Sequence, residues 1–411
     1  MTRLLLPLLA ACGLLLAGCV SQTVKTTSVP PLAYPQAPIA EAELLDVGVA
    51  IFDPGLDDID EDDEQRVYPE VRRAEARFIP QLLATTMQDT GAWGAVRVVP
   101  DNERITDLRI DGTILHSDGE ELKLAVRAVD ARGNVWLDNT YEGHASRYAY
   151  DNRTRRQYDP FQAVYHRIAN DLLEHQLALD EGEAEDIRTV SELRFARSFA
   201  PEAFDGYLRE DRDGELHIAR LPAEGDPMLE RVRGIRERDN LFIDTLQGYY
   251  TGFRGDMQGP YQEWRKLSYE EVVAMQELEA ESRRQLIAGG AAILAGIAAA
   301  GGGDSRTTRA AGNVAIIGGG YLLKTGLETR AEAKIHVEAL AELGLSLEAE
   351  ITPRVIELED RTVMLSGNVE DQYHQWRDLL AEIYRNEVGA LAPPEAEDGS
   401  GADGSGGNSE G

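Results

Sequence analysis

Along this chain the apolar positions alternate in short stretches and recur every three or four residues in longer ones. LLDVGVAIFDP (44–54) is a near-continuous apolar run closed by Pro54, which predicts a buried strand. From Tyr68 the period changes, with Val71, Ala74, Phe78 and Leu82 on one helical face and Pro80 as a kink or boundary. AVRVVP (95–100) predicts a second short strand. Residues 107–143 read as three more, with turns at Ser117-Asp118-Gly119 and Ala131-Arg132-Gly133. Within them Leu122, Leu124, Val126 and Ala128 alternate with Lys123, Ala125 and Arg127, a half-buried strand. The order β-α-β-β-β-β predicts one layer of helix on a mixed sheet.

Residues 155–285 carry mostly helical patterns. Asp159-Pro160 is a start signal ahead of the stripe Phe161, Val164, Ile168 and Leu172. Asp226-Pro227 repeats it ahead of Leu229, Val232, Leu246, Tyr249 and Phe253, and a third helix is expected from Ser268 past Arg284. No repeat of fixed period is present, which argues against a solenoid. Residues 286–326 form two small-residue apolar stretches around a polar turn, and 327–390 read as helix, strand, turn, strand, helix. The fold class expected is therefore α+β: an N-terminal mixed sheet with a packed helix (43–150), a helical region, a Gly/Ala-rich hairpin, and a small C-terminal β-hairpin plus helix. The tail 391–411 lacks the apolar content to fold.

In the Gly/Ala segment, Ala292, Gly296 and Ala300 recur every four residues, as do Gly312, Ile316 and Gly320, with Gly319 beside the last. Such faces let backbones approach closely, whereas glycine in a water-exposed helix costs about 1 kcal/mol relative to alanine. Packing within the chain, self-association and membrane insertion all satisfy the pattern. Asn313 and Lys324 weigh against a second membrane span, so packing is the expectation.

The N-terminus supplies an address. Arg3 precedes an apolar run, Leu4 to Ala17, of signal-peptide length, too short for a comfortable membrane span. Leu16-Ala17-Gly18-Cys19 resembles the lipobox of bacterial lipoproteins. The resemblance implies removal of residues 1–18 by cleavage between Gly18 and Cys19, a diacylglycerol on the Cys19 sulfur, and a fatty acyl chain such as palmitate on the new amino terminus. Several acyl chains make a stable anchor. Val20, where inner-membrane retention would call for aspartate, favours by the same resemblance an outer-membrane protein facing the periplasm. The alternative is an ordinary secretory signal with a chance cysteine. Residues 19–42, polar and Pro-rich, suit a lipidated tether. Cys12 leaves with the signal and Cys19 is spent on lipid, so no disulfide framework or Cys-based zinc site is expected.

Against 41 basic residues stand 73 acidic ones, a net charge of −32 that repels nucleic acid and anionic surfaces. No nucleic-acid partner is expected.

The stretch from "dtGaWgaVrVvp" through "tDlrIdGtIlhSdGeeLkLaVraVDarGnVw" resembles the N-terminal α/β domain of the curli secretion lipoproteins, the penicillin-binding-protein activator lipoproteins and the TolB N-terminal domain. That resemblance implies a domain that binds partners or assembles into rings, and it brings no catalytic residues. "rTVmLSGnVeDqyhqwrdLlaEIy" is similar to half of a BON domain, an envelope module linked to membrane attachment.

Catalytic signatures are not apparent. The seven histidines (116, 144, 166, 175, 217, 336 and 374) show no zinc-binding spacing. Lys324-Thr325-Gly326 lacks the partner motifs of penicillin-recognising enzymes, and Gly407 to Gly411 lacks the strand and helix of a nucleophile elbow. Asp58, Asp60 and Asp62 have the first spacings of a calcium loop, but Asp63 and Pro69 occupy its glycine and glutamate positions. Asp211, Asp213 and Glu215 repeat that pattern more weakly. The expectation is a non-enzymatic lipoprotein, without cofactor or metal, that binds envelope proteins or copies of itself. The rival readings are a ring-forming secretion or pore component and a cell-wall hydrolase.

Overall fold

In the computed structural model the described residues are 29–57, 67–100, 104–151, 158–299, 337–339, 341–342, 345, 354–357 and 362–389, with side chains in the long helix described through Glu277. The fold is α+β. Strands β1 (Val47–Ala50), β2 (Val96–Val99), β3 (Leu108–Ser117), β4 (Glu121–Asp130) and β5 (Val135–His144) form one mixed sheet in the order β2-β1-β3-β4-β5. β1 runs parallel to both β2 and β3, and β3-β4-β5 is an antiparallel meander. Leu122, Leu124, Val126 and Ala128 are buried, whereas Arg127 is exposed and Lys123 and Ala125 are half-buried, so the alternation selects the faces as expected.

Helix α1 (Pro69–Asp89) joins β1 to β2 and is buried on two sides. Ala76, Ile79, Leu83 and Met87 join the main core against the sheet. Val71, Ala74 and Phe78, the stripe visible in the sequence, meet Phe253, Met257, Tyr261 and Trp264 instead. Pro80 is not a boundary, because α1 runs through it. A proline inside a helix leaves the carbonyl four residues back without its usual donor. Here that carbonyl, on Ala76, accepts the Phe52 backbone N–H at 2.9 Å.

Beyond the sheet come α2 (Gln162–Leu177), α3 (Glu183–Phe199), the short α4 (Pro201–Phe204), the hairpin β6 (Leu208–Glu210) and β7 (Leu216–Ile218), and α5 (Pro227–Ala299). The hairpin β6–β7 is not predicted by the apolar pattern; its Asp213-Gly214 turn places Gly214 at φ 87°. That pattern also splits α5. Rather than starting a helix, Ser268 lies inside a single helix of 73 residues, about 110 Å long. Its hydroxyl accepts the Gly119 backbone N–H at 3.2 Å. The Asp226 start signal holds, with its carboxylate capping the N–H groups of Met228 and Leu229.

Strands β8 (Arg354–Glu357) and β9 (Thr362–Leu365) pair antiparallel ahead of α6 (Val369–Gly389), in the expected order. Trp376 of α6 stacks on Phe242 of α5 with ring centres 4.9 Å apart, and Tyr384 meets Phe199 of α3. α5 is thus the spine on which α1, α3, α6 and the β2 edge converge.

Candidate functional site

The buried side chains of α5 follow a spacing of three and four residues, from Leu229, Val232 and Ile235 through Met257, Tyr261 and Trp264 to Arg265. Polar contacts fix its register. Gln247 bonds both the N–H and the carbonyl of Val98, closing the exposed edge of β2. Asp244 takes Arg97 at 2.6 Å, and buried Asp239 takes Arg104 at 2.5 Å.

The most elaborate contact is a sealed polar centre where α5 meets α1, α2 and the β3–β4 turn. Glu75 of α1 is fully buried, and its Oε1 accepts hydroxyls from Ser117 of β3 at 2.5 Å and from Tyr261 of α5. Among the described residues its Oε2 meets no hydrogen-bond donor, and the Arg72 Nε lies 3.9 Å from it. One turn further along α5, the guanidinium of Arg265 makes a two-pronged pair with Asp159 at 3.0 and 2.6 Å and lies 4.0 Å over the Tyr261 ring. Asp159 also caps the Phe161 N–H at 2.9 Å, so the predicted helix-start residue doubles as the counter-ion of a buried arginine. The Gly119 backbone sits directly on α5, with its carbonyl held by the Tyr150 hydroxyl. This centre is a docking joint. Two grooves among the described residues, one lined by Asp53, Asp111 and Arg127 and one by Asp107, Arg188 and Arg236, do not include Glu75.

Among the described residues two groups of three carry metal-ligand chemistry: Asp211, Glu215 and His217 at the β6–β7 turn, and Glu121, Glu142 and His144 across β4 and β5. In the first, Asp211 accepts the N–H groups of Asp213 and Glu215 and pairs with His217 at 2.9 Å, a bond that lowers its carboxyl below the ordinary range. Glu215 is engaged by the Asn134 amide. Asp213, which the sequence pattern suggested as a ligand, lies outside the group. These carboxylates hold the turn together.

Comparison with protein-family models, with curated proteins and with solved structures returns no match.

The sequence-predicted positions divide between the described residues and the rest. Gly18, Cys19, Ala300, Gly312, Gly319 and Gly320, with Asp58, Asp60 and Asp62, lie outside the described residues, and Ala292 and Gly296 fall within the α5 backbone. A second glycine series escaped the sequence reading. Gly248, Gly252, Gly255 and Gly259 share one face of α5, and a Cβ at any of them would meet nothing within 4 Å. Their spacing of four, three and four residues was the available signal. Gly252→Ala is expected to stabilise the chain by about 1 kcal/mol, the helix-propensity difference at an open site. Urea unfolding measures it, and a destabilised variant would show that this face is closely packed.

Proposed function

We propose that this chain is an outer-membrane lipoprotein facing the periplasm, which acts without catalysis by binding envelope proteins or further copies of itself. The observation that carries the reading is Leu16-Ala17-Gly18-Cys19 at the end of an apolar run. Among the described residues no helix is long and apolar enough to cross a membrane, so a lipid on Cys19 would supply the attachment.

The shape of α5 supports an assembly role. Its last buried described side chain is Arg265, and Lys266 to Glu277 are half-buried or exposed. The helix continues to Ala299, about 50 Å further along its axis. The described contacts between the body and α5 reach as far as Gln276, whose amide donates to Glu120 at 3.2 Å, and the helix backbone runs on from there into the Gly/Ala segment. A helix that joins the folded body to that segment suits presentation of a surface to a partner.

Cys19→Ser tests the anchor. The variant is expected to remain as unprocessed precursor, to lose acyl labelling and to leave the outer-membrane fraction. Normal processing with release of a soluble periplasmic form would overturn the lipoprotein reading.

A further inference from the structure

We propose that Glu75 is a proton-operated latch on α5: with its carboxyl protonated the joint is closed, and loss of that proton loosens α5 around Tyr261 and Arg265. The proposal concerns regulation of the joint, and it holds whichever partner the helix presents itself to.

The geometry carries it. Glu75 has no exposed surface, so an ionised carboxylate there must find its stabilisation among fixed neighbours. Those neighbours serve one oxygen only, through Ser117 and Tyr261, and leave Oε2 without a donor. Among the described residues few charged and titratable groups face the site. Arg72 stands on the same helix but spends its Nη1 on the Ile114 carbonyl at 2.9 Å. On α5 the charge of Arg265 is matched by Asp159, and the phenol of Tyr261 completes that side. Tyr165 of α2 faces the same interior, its hydroxyl buried without a partner. From the β3 end, His116 pairs with Asp118 at 3.0 Å. An ionised Glu75 therefore gains full hydration only if Tyr261 and its helix move away.

The sign follows from the balance at Glu75. Burial raises its proton affinity above that of an ordinary glutamate, and Arg72, Ser117, Tyr261 and Arg265 offset this only in part. A carboxyl whose folded value is raised contributes stability that is complete below the ordinary glutamate range, and that contribution disappears as pH climbs through the raised value. The joint is closed at lower pH and opens toward higher pH.

Hydrogen exchange of the full chain, read on peptides spanning 254–277 and corrected for intrinsic rates, tests the latch. In the parent, the opening equilibrium is expected to increase with pH across the Glu75 titration by up to tenfold per pH unit, the limit for one proton. Glu75→Gln keeps a carbonyl oxygen for both hydroxyls and cannot ionise, so its opening should be independent of pH. Tyr261→Phe removes one donor to the carboxylate and should move the midpoint to higher pH. His116→Gln should leave the midpoint in place. Equal pH dependence in the parent and Glu75→Gln overturns the proposal, as does loss of the profile in His116→Gln. If Glu75→Gln does not fold, an unmoved midpoint in Tyr261→Phe overturns it.

Discussion

Asp159→Ala is expected to destabilise the folded chain by about 3–5 kcal/mol, the usual consequence of leaving one partner of a buried ion pair alone. Arg265 is fully buried and spends both terminal nitrogens on Asp159. Its Nε meets no acceptor among the described residues, and its guanidinium lies over the faces of Tyr261 and Phe161, at 4.0 and 5.7 Å. Ring faces attract a guanidinium but offer far less than a carboxylate. The same substitution removes the cap on the Phe161 N–H, so α2 loses its start while α5 loses its counter-charge. Arg265→Met should cost less, because a flexible apolar chain fills the space and Asp159, on the loop, can turn toward water. Combining Asp159→Ala with Arg265→Met should recover much of the loss, the non-additivity expected of residues in contact. Urea unfolding of the single and double variants measures this. A cost below about 1 kcal/mol for Asp159→Ala would mean that water reaches the arginine and that the joint is not sealed.

Much of the sheet was legible because its patterns are local. Alternation along β4 reports one covered and one open face, and the turns at Ser117–Gly119 and Ala131–Gly133 lie where the chain reverses. The α1 stripe of Val71, Ala74 and Phe78 was equally plain, but its partner was not. An apolar stripe declares that something covers it without saying whether a sheet or a helix does so. Here the cover is α5, from far along the chain. Pro80 and Ser268 misled for a related reason: each has a strong local meaning that a distant group cancels. Phe52 takes up the carbonyl stranded by Pro80, and Gly119 engages the Ser268 hydroxyl from outside the helix. The polar centre was hidden altogether. Among 73 acidic residues nothing in the order of the chain marks Glu75 as buried or Asp159 as the partner of a buried arginine, since both roles are made by elements that meet only in the folded molecule.

The joint also makes opposite predictions for one substitution at two glycines. At Gly252 on the open face of α5 alanine should stabilise, whereas Gly119→Ala is expected to cost about 3 kcal/mol, the upper end of the range for forcing atoms into a packed site. An alanine Cβ at Gly119 would overlap the carbonyl oxygen of Arg265 and the backbone nitrogen of Tyr269. A flexible side chain could swing aside, but these atoms belong to a helix and move only with it. Displacing α5 there pulls Ser268 from the Gly119 N–H and draws Tyr261 and Arg265 away from Glu75 and Asp159. The sheet should survive, because β3 and β4 keep their ladder and the core beneath them. The expected signature is therefore selective. Hydrogen exchange should increase in α5 from about Phe253 to Glu277 and in the 117–121 turn, while amides of β3 and β4 further from the turn keep their protection. Uniform loss of protection across the sheet would show that α5 and the sheet unfold as one unit. Unchanged stability would show that the helix does not lie against Gly119, and the latch at Glu75 would then have nothing to hold.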